Sequence, residues 1–425
     1  MLLINKIIPG GEALLTDPDG KKLFLWNALP GETIEEYEIV KKKSHYNRGI
    51  ATKISDPSPH RVEPQDACYL STSPWQIMDY NYELKLKQDL VVELFREHGI
   101  TLSTPPIHTD NNIYHYRNKM EYSLFYDHEQ AKIFPAFHQR GSHRKIPITS
   151  SSIERPEIFA AATKIIDDLN ARHEDARKYQ SLLLRCNQKG EVSGGLYENN
   201  HPHPKFQNLT DSLLGHEYSY SPNGFFQINL PVYEMALKEI AKHITTNKVL
   251  DLYAGVGTIG LSVARDRELT LVECDKYAFA ELERNVKEES DTYFSEHVCR
   301  RGKRGVTEAR DDGPEGTFRE ACVGSSSVIQ AGSPKAVLAK SEDALSYIAP
   351  DQTVILDPPR AGCDAKLIDK LLETKPQKII YLSCNPATQA RDVAILLEAY
   401  HIEDVHIFNF FPRTPHIENL IVLSL

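Results

Sequence analysis

Apolar runs that end abruptly in chemically capable residues organise the C-terminal half of the chain. Ile379-Ile380-Tyr381-Leu382 stops at Ser383-Cys384-Asn385-Pro386, the pattern of a buried parallel strand that delivers a side chain to the carboxyl edge of a sheet. Asn385-Pro386 ends the strand, and Thr388 can cap a helix over 389–397. Cys384 then lies beside a helix N-terminus, where a thiolate is favoured. Strands alternate with helices in the same way from about residue 223. Lys248-Val249-Leu250-Asp251-Leu252 runs into a glycine turn, Leu269-Thr270-Leu271-Val272 ends in Glu273, and further strands are expected near 335–339 and 353–356. Glu418 introduces a last one.

The first half follows other periods. In residues 1–58, Lys22-Leu23-Phe24-Leu25-Trp26 and Glu36-Tyr37-Glu38-Ile39-Val40 read as strands between Pro/Gly turns, about five strands in all, which suggests an OB-like β-barrel. Residues 56–61 read as a linker. A helix is predicted over 82–95 from apolar residues at Leu86, Leu90, Val91 and Leu94. From about 105 to 222 strands and aromatics dominate. Three domains follow: 1–58, a central mixed α/β domain at 59–222, and an α/β domain at 223–425, interrupted by a polar, glycine-rich insert at about 289–334 that reads as a mobile surface loop.

Composition narrows the classes. The chain has 425 residues, 41% hydrophobic and 25% charged, with a net charge of −10. Nucleic-acid binding would therefore rest on local patches, not on a global field. Lys41-Lys42-Lys43, Tyr114 to Tyr122 (with Arg117 and Lys119) and Phe137 to Lys145 mix cations with rings, as a groove for single-stranded nucleic acid would. With no transmembrane-length run and no cleavable leader, a cytoplasmic protein is expected. The seven cysteines form no C-x-x-C pair, so a reducing compartment fits and no metal site is expected.

The chemistry rests on three signals. Gly255, Gly257 and Gly260 let the backbone approach a nucleoside-type ligand, and this turn alone leaves a nicotinamide enzyme and an adenosylmethionine enzyme open. Asp251 leans toward the second, since it could accept from a ligand ammonium, and Glu273 suits ribose hydroxyls. Asp357-Pro358-Pro359-Arg360 stands at one strand end and Cys384 at the next. A methyl donor combined with a cysteine nucleophile suits carbon 5 of a pyrimidine: thiolate addition at carbon 6 activates carbon 5, and a base, Glu418, then removes its hydrogen.

Those residues, with Pro30-Gly31-Glu32, Arg61-Val62-Glu63-Pro64, Tyr116-Arg117-Asn118-Lys119, Phe225-Phe226-Gln227-Ile228-Asn229, Ser383-Cys384-Asn385-Pro386-Ala387-Thr388 and His416-Ile417-Glu418, closely resemble the RNA uracil-5 methyltransferases. The resemblance is to the branch with an N-terminal TRAM domain, and it implies a Rossmann-like methyltransferase domain behind the OB-like barrel. It further implies Cys384 as nucleophile, Glu418 as base, and Gln227, Tyr253, Thr258, Glu273 and Asp357 around S-adenosyl-L-methionine. The implied partner is RNA, with 23S rRNA first and a tRNA T-loop uridine second. A monomer is expected. Many members hold an iron-sulfur cluster with four cysteines, but the corresponding stretch here carries Cys68 alone. No cluster is expected, and Trp75 and its neighbours should pack that place. The rival class is an inactive RNA-binding homologue, which the intact Cys384 and Glu418 argue against. DNA cytosine methylation is disfavoured because Cys384 lacks a Pro-Cys context, and His138, His143 and His416 are read as surface or packing residues.

Overall fold

The computed structural model describes residues 1–17, 19–202, 204–288 and 333–425. The insert expected at 289–334 falls outside them but for its last two residues.

The fold is mixed α/β with a barrel-like N-terminal sheet. Strands β1 (Leu2–Leu3), β2 (Ala13–Thr16), β3 (Lys22–Trp26), β4 (Thr33–Lys42) and β5 (Tyr46–Asp56) pair in the order β1-β4-β5-β3-β2. Ile4, Ala13, Leu23, Leu25, Ile34 and Ala51 fill the interior. Gly49 is required in β5 because a Cβ there would sit 2.5 Å from the Glu38 carbonyl oxygen. The stretch expected as a linker is pinned instead. Buried Glu32 accepts from Arg61 Nη2 at 2.8 Å and from the backbone N–H groups of Leu29 and Ser58, which ties together two of the sequence motifs.

A second sheet combines β7 (Lys119–Asp127), β8 (Lys132–His138), β9 (Lys145–Pro147), β10 (Tyr179–Cys186) and β11 (Val192–Glu198) in the order β11-β10-β7-β8-β9. A helix, Pro156–Ala171, covers it with Ile158, Ala162, Ile166 and Leu169. That helix was not located individually within the mixed α/β domain expected here, although its apolar spacing is helical and Pro156 starts it.

The large sheet has eight strands. Its order is β16 (Lys335–Leu338), β15 (Glu268–Glu273), β14 (Lys248–Leu252), β17 (Gln352–Leu356), β18 (Lys378–Ser383), β20 (Glu418–Ser424), β19 (His401–Phe408) and β6 (Ile107–His108). The first five are parallel; β20 runs antiparallel to both of its neighbours, so β19 and the short β6 point the same way as the first five. Helix Tyr80–Glu97 packs one face with Leu86, Leu90, Val91 and Phe95, and helix Leu230–Lys242 packs the other. Fully buried strands with helices on both faces explain the continuous apolar runs. Strand β19 was not anticipated from the sequence. Because β20 inserts between β18 and β19, Glu418 comes to lie beside the strand that carries Cys384.

Among the described residues no helix is long and apolar enough to cross a membrane.

Candidate functional site

The carboxyl ends of β14, β15, β17 and β18 meet the amino end of β20. In the β18–β20 ladder the last pair is Ser383 with Asn419. One step further stand Cys384 and Glu418, facing each other at the strand ends by the pairing rule of antiparallel strands. Glu418 is 5% exposed and Cys384 is half-buried. Arg360, from the Asp-Pro-Pro-Arg stretch, is anchored by its carbonyl, which accepts from Asn385 Nδ2 at 2.8 Å and from Thr388 Oγ1 at 3.3 Å. Its guanidinium reaches His416 Nδ1 at 3.4 Å. Cys384, Arg360, Arg140 and His416 share a cleft of about 430 Å³ that is also walled by Pro9, Gly10 and Pro74.

The electrostatics correct two readings. The thiol of Cys384 is pushed up to about 11 by burial and then by the Glu418 and Asp357 carboxyls, with Arg360 pulling it back. A ready thiolate beside a helix end is therefore not what the site favours, because burial, reinforced by the two carboxyls, holds the thiol protonated. The helix itself begins at Pro386, so Thr388 is not its cap: it lies in the first turn, donating to the Asn385 carbonyl at 3.1 Å. Glu418 is raised well above the ordinary carboxyl range by burial and by Asp357, against Arg360. Burial alone lifts Asp357 to about 7. These acids sit where their own negative charge is disfavoured, a site whose chemistry calls for a cation.

Around the glycine turn, Gly257 is left-handed at φ +92, and a Cβ on it would meet Leu282 at 2.7 Å. Asp251 is held at the base of the turn. It is fully buried, its Oδ2 accepts from Gly260 N at 2.9 Å, and its Oδ1 has no partner among the described residues. Burial, helped by Asp357 and Glu273 and opposed by the Gly260 N–H, lifts it to about 8. Glu273 accepts from Gly255 N at 2.8 Å through Oε2, and from Cys274 N and Asp275 N through Oε1. One lone pair of Oε2 stays available, since each carboxylate oxygen carries two.

Gln227 is 9% exposed; its carbonyl accepts from Asn118 Nδ2 and Arg185 Nη2, and its side-chain amide makes no hydrogen bond among the described residues. Thr258 opens a helix with its hydroxyl 2.8 Å from the Tyr233 hydroxyl. Tyr253 is half-buried at φ +68 and packs toward Ser341 and Cys363. Tyr253, Glu273 and Asp357 thus stand at the carboxyl ends of β14, β15 and β17 and Thr258 at the start of the next helix, and of these and Gln227 it is Asp357 whose charge acts on both Cys384 and Glu418.

The expected stacking groove is partly internal. Tyr116 and Tyr122 are core residues, bonded to the Pro412 carbonyl and to Glu154. Lys119 donates to the Asn223 and Gly224 carbonyls and is lowered to about 8, chiefly by burial. It is a strut, not a free phosphate contact. Lys41, Lys42 and Lys43 are exposed at the end of the β4–β5 hairpin. Arg140 stacks on Trp26 at 4.2 Å and enters the Cys384 cleft.

Where other sequences would carry cluster cysteines, Trp75 is 1% exposed, and Gln76 bonds Asp66, Ser73 and the N–H of Gln65. Arg360 and His416 at the cleft were missed as site residues. Arg360 was legible as the end of its motif; His416 needed the fold.

Comparison with known proteins points the same way. Residues 344–425 match the family described as tRNA (Uracil-5-)-methyltransferase. Proteins named uncharacterized RNA methyltransferase are similar over nearly the whole chain. That of Bacillus cereus is 27% identical, covering 94% of this chain and 91% of its own length. That of Lactiplantibacillus plantarum is 29% identical, covering 96% and 93%. The crystal structure of Pyrococcus abyssi tRNA (uracil-54, C5)-methyltransferase with S-adenosyl-L-homocysteine superimposes with a TM-score of 0.71 at 21% identity, covering 99% of this chain and 98% of that one. The chain therefore resembles the RNA uracil-5 methyltransferases, by sequence motifs and relatives over nearly all of its length and by fold.

Proposed function

We propose that the protein is an S-adenosyl-L-methionine-dependent RNA methyltransferase that forms 5-methyluridine. The observation that carries this reading is that Glu418 stands one residue beyond the Ser383–Asn419 pair, where its charge acts on the Cys384 thiol, while Cys384 shares a cleft with Arg360. The donor set fits the methyl donor: Glu273 Oε2 can accept from ribose, the Gln227 amide is unspent, open space surrounds Gly255, and Asp357 lacks a counter-charge. When bound there, S-adenosyl-L-methionine supplies an electrophilic methyl group carried on a sulfonium.

The residues then divide the work. A stacked base cannot expose carbon 6, so the uridine must be extruded into the cleft. Cys384 gives its proton to solvent water, with Arg360 offsetting the charge left on Sγ, and Sγ bonds to carbon 6. The electron pair displaced from the 5,6 double bond makes carbon 5 nucleophilic. After methylation, Glu418, having first released to solvent the proton that burial favours, takes the carbon 5 hydrogen as a proton, the electron pair of that bond re-forms the double bond, and the Sγ–carbon 6 bond breaks with its pair returning to Sγ.

In this reading the N-terminal barrel is a TRAM domain, the large sheet is a Rossmann-like methyltransferase domain, and the RNA contacts come from the first two segments. The TRAM-bearing order favours 23S rRNA. The description of the family matching residues 344–425 keeps tRNA as the second reading. The test is Cys384→Ala: methyl transfer and the covalent RNA adduct should both vanish, and retained turnover would refute the mechanism. Mapping 5-methyluridine in rRNA and tRNA with and without the gene decides the substrate.

A further inference from the structure

Away from the Cys384 cleft, four ligand-type side chains converge between helix Leu230–Lys242 and strand β19. Glu239 and His243 lie four residues apart and share a helical face. Asp404 and His406 lie two apart on β19, just past a register shift between Ile402 and Asp404, so both turn toward that helix. His406 Nε2 is 3.0 Å from Asp404 Oδ2 and 3.5 Å from Glu239 Oε1. His243 Nε2 is 3.5 Å from Asp404 Oδ2 and 3.8 Å from Glu239 Oε1.

Neither Nε2 makes a hydrogen bond with acceptable geometry among the described residues, although His243 is only 9% exposed. The opposite ring nitrogens are engaged. His243 Nδ1 lies 3.2 Å from Glu403 Oε1, and His406 Nδ1 lies 2.9 Å from His108 Nε2 on the edge strand β6. With the proton on each Nδ1, both Nε2 lone pairs point at two carboxylate oxygens. That is unfavourable unless a cation lies between them. A metal-binding imidazole usually donates its other N–H outward in this way, which fixes the ring and leaves Nε2 free to face the ion.

We propose that Glu239, His243, Asp404 and His406 form a structural divalent transition-metal site of the zinc class. Bond lengths of about 2.0–2.2 Å around a tetrahedral ion set donor atoms roughly 3.4 Å apart, and the four imidazole-to-carboxylate distances, 3.0 to 3.8 Å, bracket that value; Glu239, His243 and Asp404 stand as one group of three and Glu239 joins His406 in a second, so binding draws the two imidazoles together onto one ion. Two imidazoles and two carboxylates suit zinc better than calcium or magnesium, which take oxygen shells. The ion joins the helix that follows Gln227 to the strand whose end, Phe408, pairs with Glu418. Its role is to brace, since it stands on the sheet away from Cys384.

The test uses the untagged full-length chain, stripped with EDTA and dialysed against Zn²⁺ or Co²⁺. One zinc per chain by elemental analysis, the visible bands of tetrahedral cobalt and a higher melting temperature with Zn²⁺ are expected. His243→Gln/His406→Gln should lose all three, and Glu239→Gln, the milder change, should weaken zinc binding at least tenfold while far-UV circular dichroism stays native. Absence of stoichiometric uptake by the native chain overturns the site. So does uptake that survives in the double variant, which would place the metal elsewhere, for instance on exposed Cys274.

Discussion

Removing the carboxylate of Glu83 should destabilise the protein far more than removing its cationic partner. Glu83 and Lys87 are wholly buried on one face of helix Tyr80–Glu97, 3.0 Å apart. Glu83 also accepts from Arg413 N through both oxygens, at 3.0 and 3.1 Å, and Lys87 donates to Asn409 Oδ1 and to the Phe411 carbonyl. The pair thus clamps the segment leading to Pro415 and His416, which wall the Cys384 cleft. In Glu83→Ala the ammonium keeps only neutral acceptors, and the Arg413 N–H loses its own. Breaking a buried pair from one side costs about 3–5 kcal/mol. Lys87→Met fills the same space and leaves Glu83 its Arg413 donors, so the loss should be about 1–3 kcal/mol.

The sign with pH is a second check. Burial lowers the Lys87 ammonium and Glu83 holds it up. Without Glu83 its folded pKa falls further below the unfolded value, so the fold is penalised for carrying the proton, and the penalty shrinks as pH rises toward that value. Equilibrium urea unfolding at pH 7 and pH 9 measures both effects. A loss under about 1 kcal/mol for Glu83→Ala, or one that grows with pH, would refute the reasoning that a buried unpaired charge dominates.

Other outcomes follow from the same structure. Cys384, with its thiol at about 11, should react with iodoacetamide roughly a hundredfold more slowly than glutathione at neutral pH; peptide mass spectrometry should find the rate still climbing past pH 9, and a plateau near 8 would contradict the burial argument. Asp251 and Asp357, lifted to about 8 and about 7, bind protons in the folded state that the unfolded chain has lost above about pH 4, so stability of the ligand-free chain should fall as pH rises from 5 to 8. Asp251→Asn should flatten that slope in thermal melts, and an unchanged slope counts against it. Gly260→Ala puts a methyl 2.9 Å from Asp251 Oδ2 and 2.9 Å from Leu271 Cδ2, which should cost about 1–3 kcal/mol; unchanged melting would mean that the strand and helix can part freely.

The strands and helices around the ligand turn were legible because their burial is local in origin: a strand covered on both faces must be apolar along its length, as Ile379 to Leu382 is. The burial of Trp75 was legible for a similar reason, since a large aromatic side chain stabilises the fold when it is taken out of water. What the sequence alone could not decide is which strand ends become neighbours. Glu418 reaches Cys384 only because β20 inserts antiparallel between β18 and β19, a pairing of residues 36 (Ser383 with Asn419) to 46 (Lys378 with Ser424) apart that no local period encodes. The same holds for the His and carboxylate cluster, whose members come from a helix and a strand far apart in the chain, and for the thiol of Cys384. Its helix-end position predicted a thiolate, but the charge state follows from the carboxyls and the low dielectric around it, and those exist only once the tertiary fold has closed.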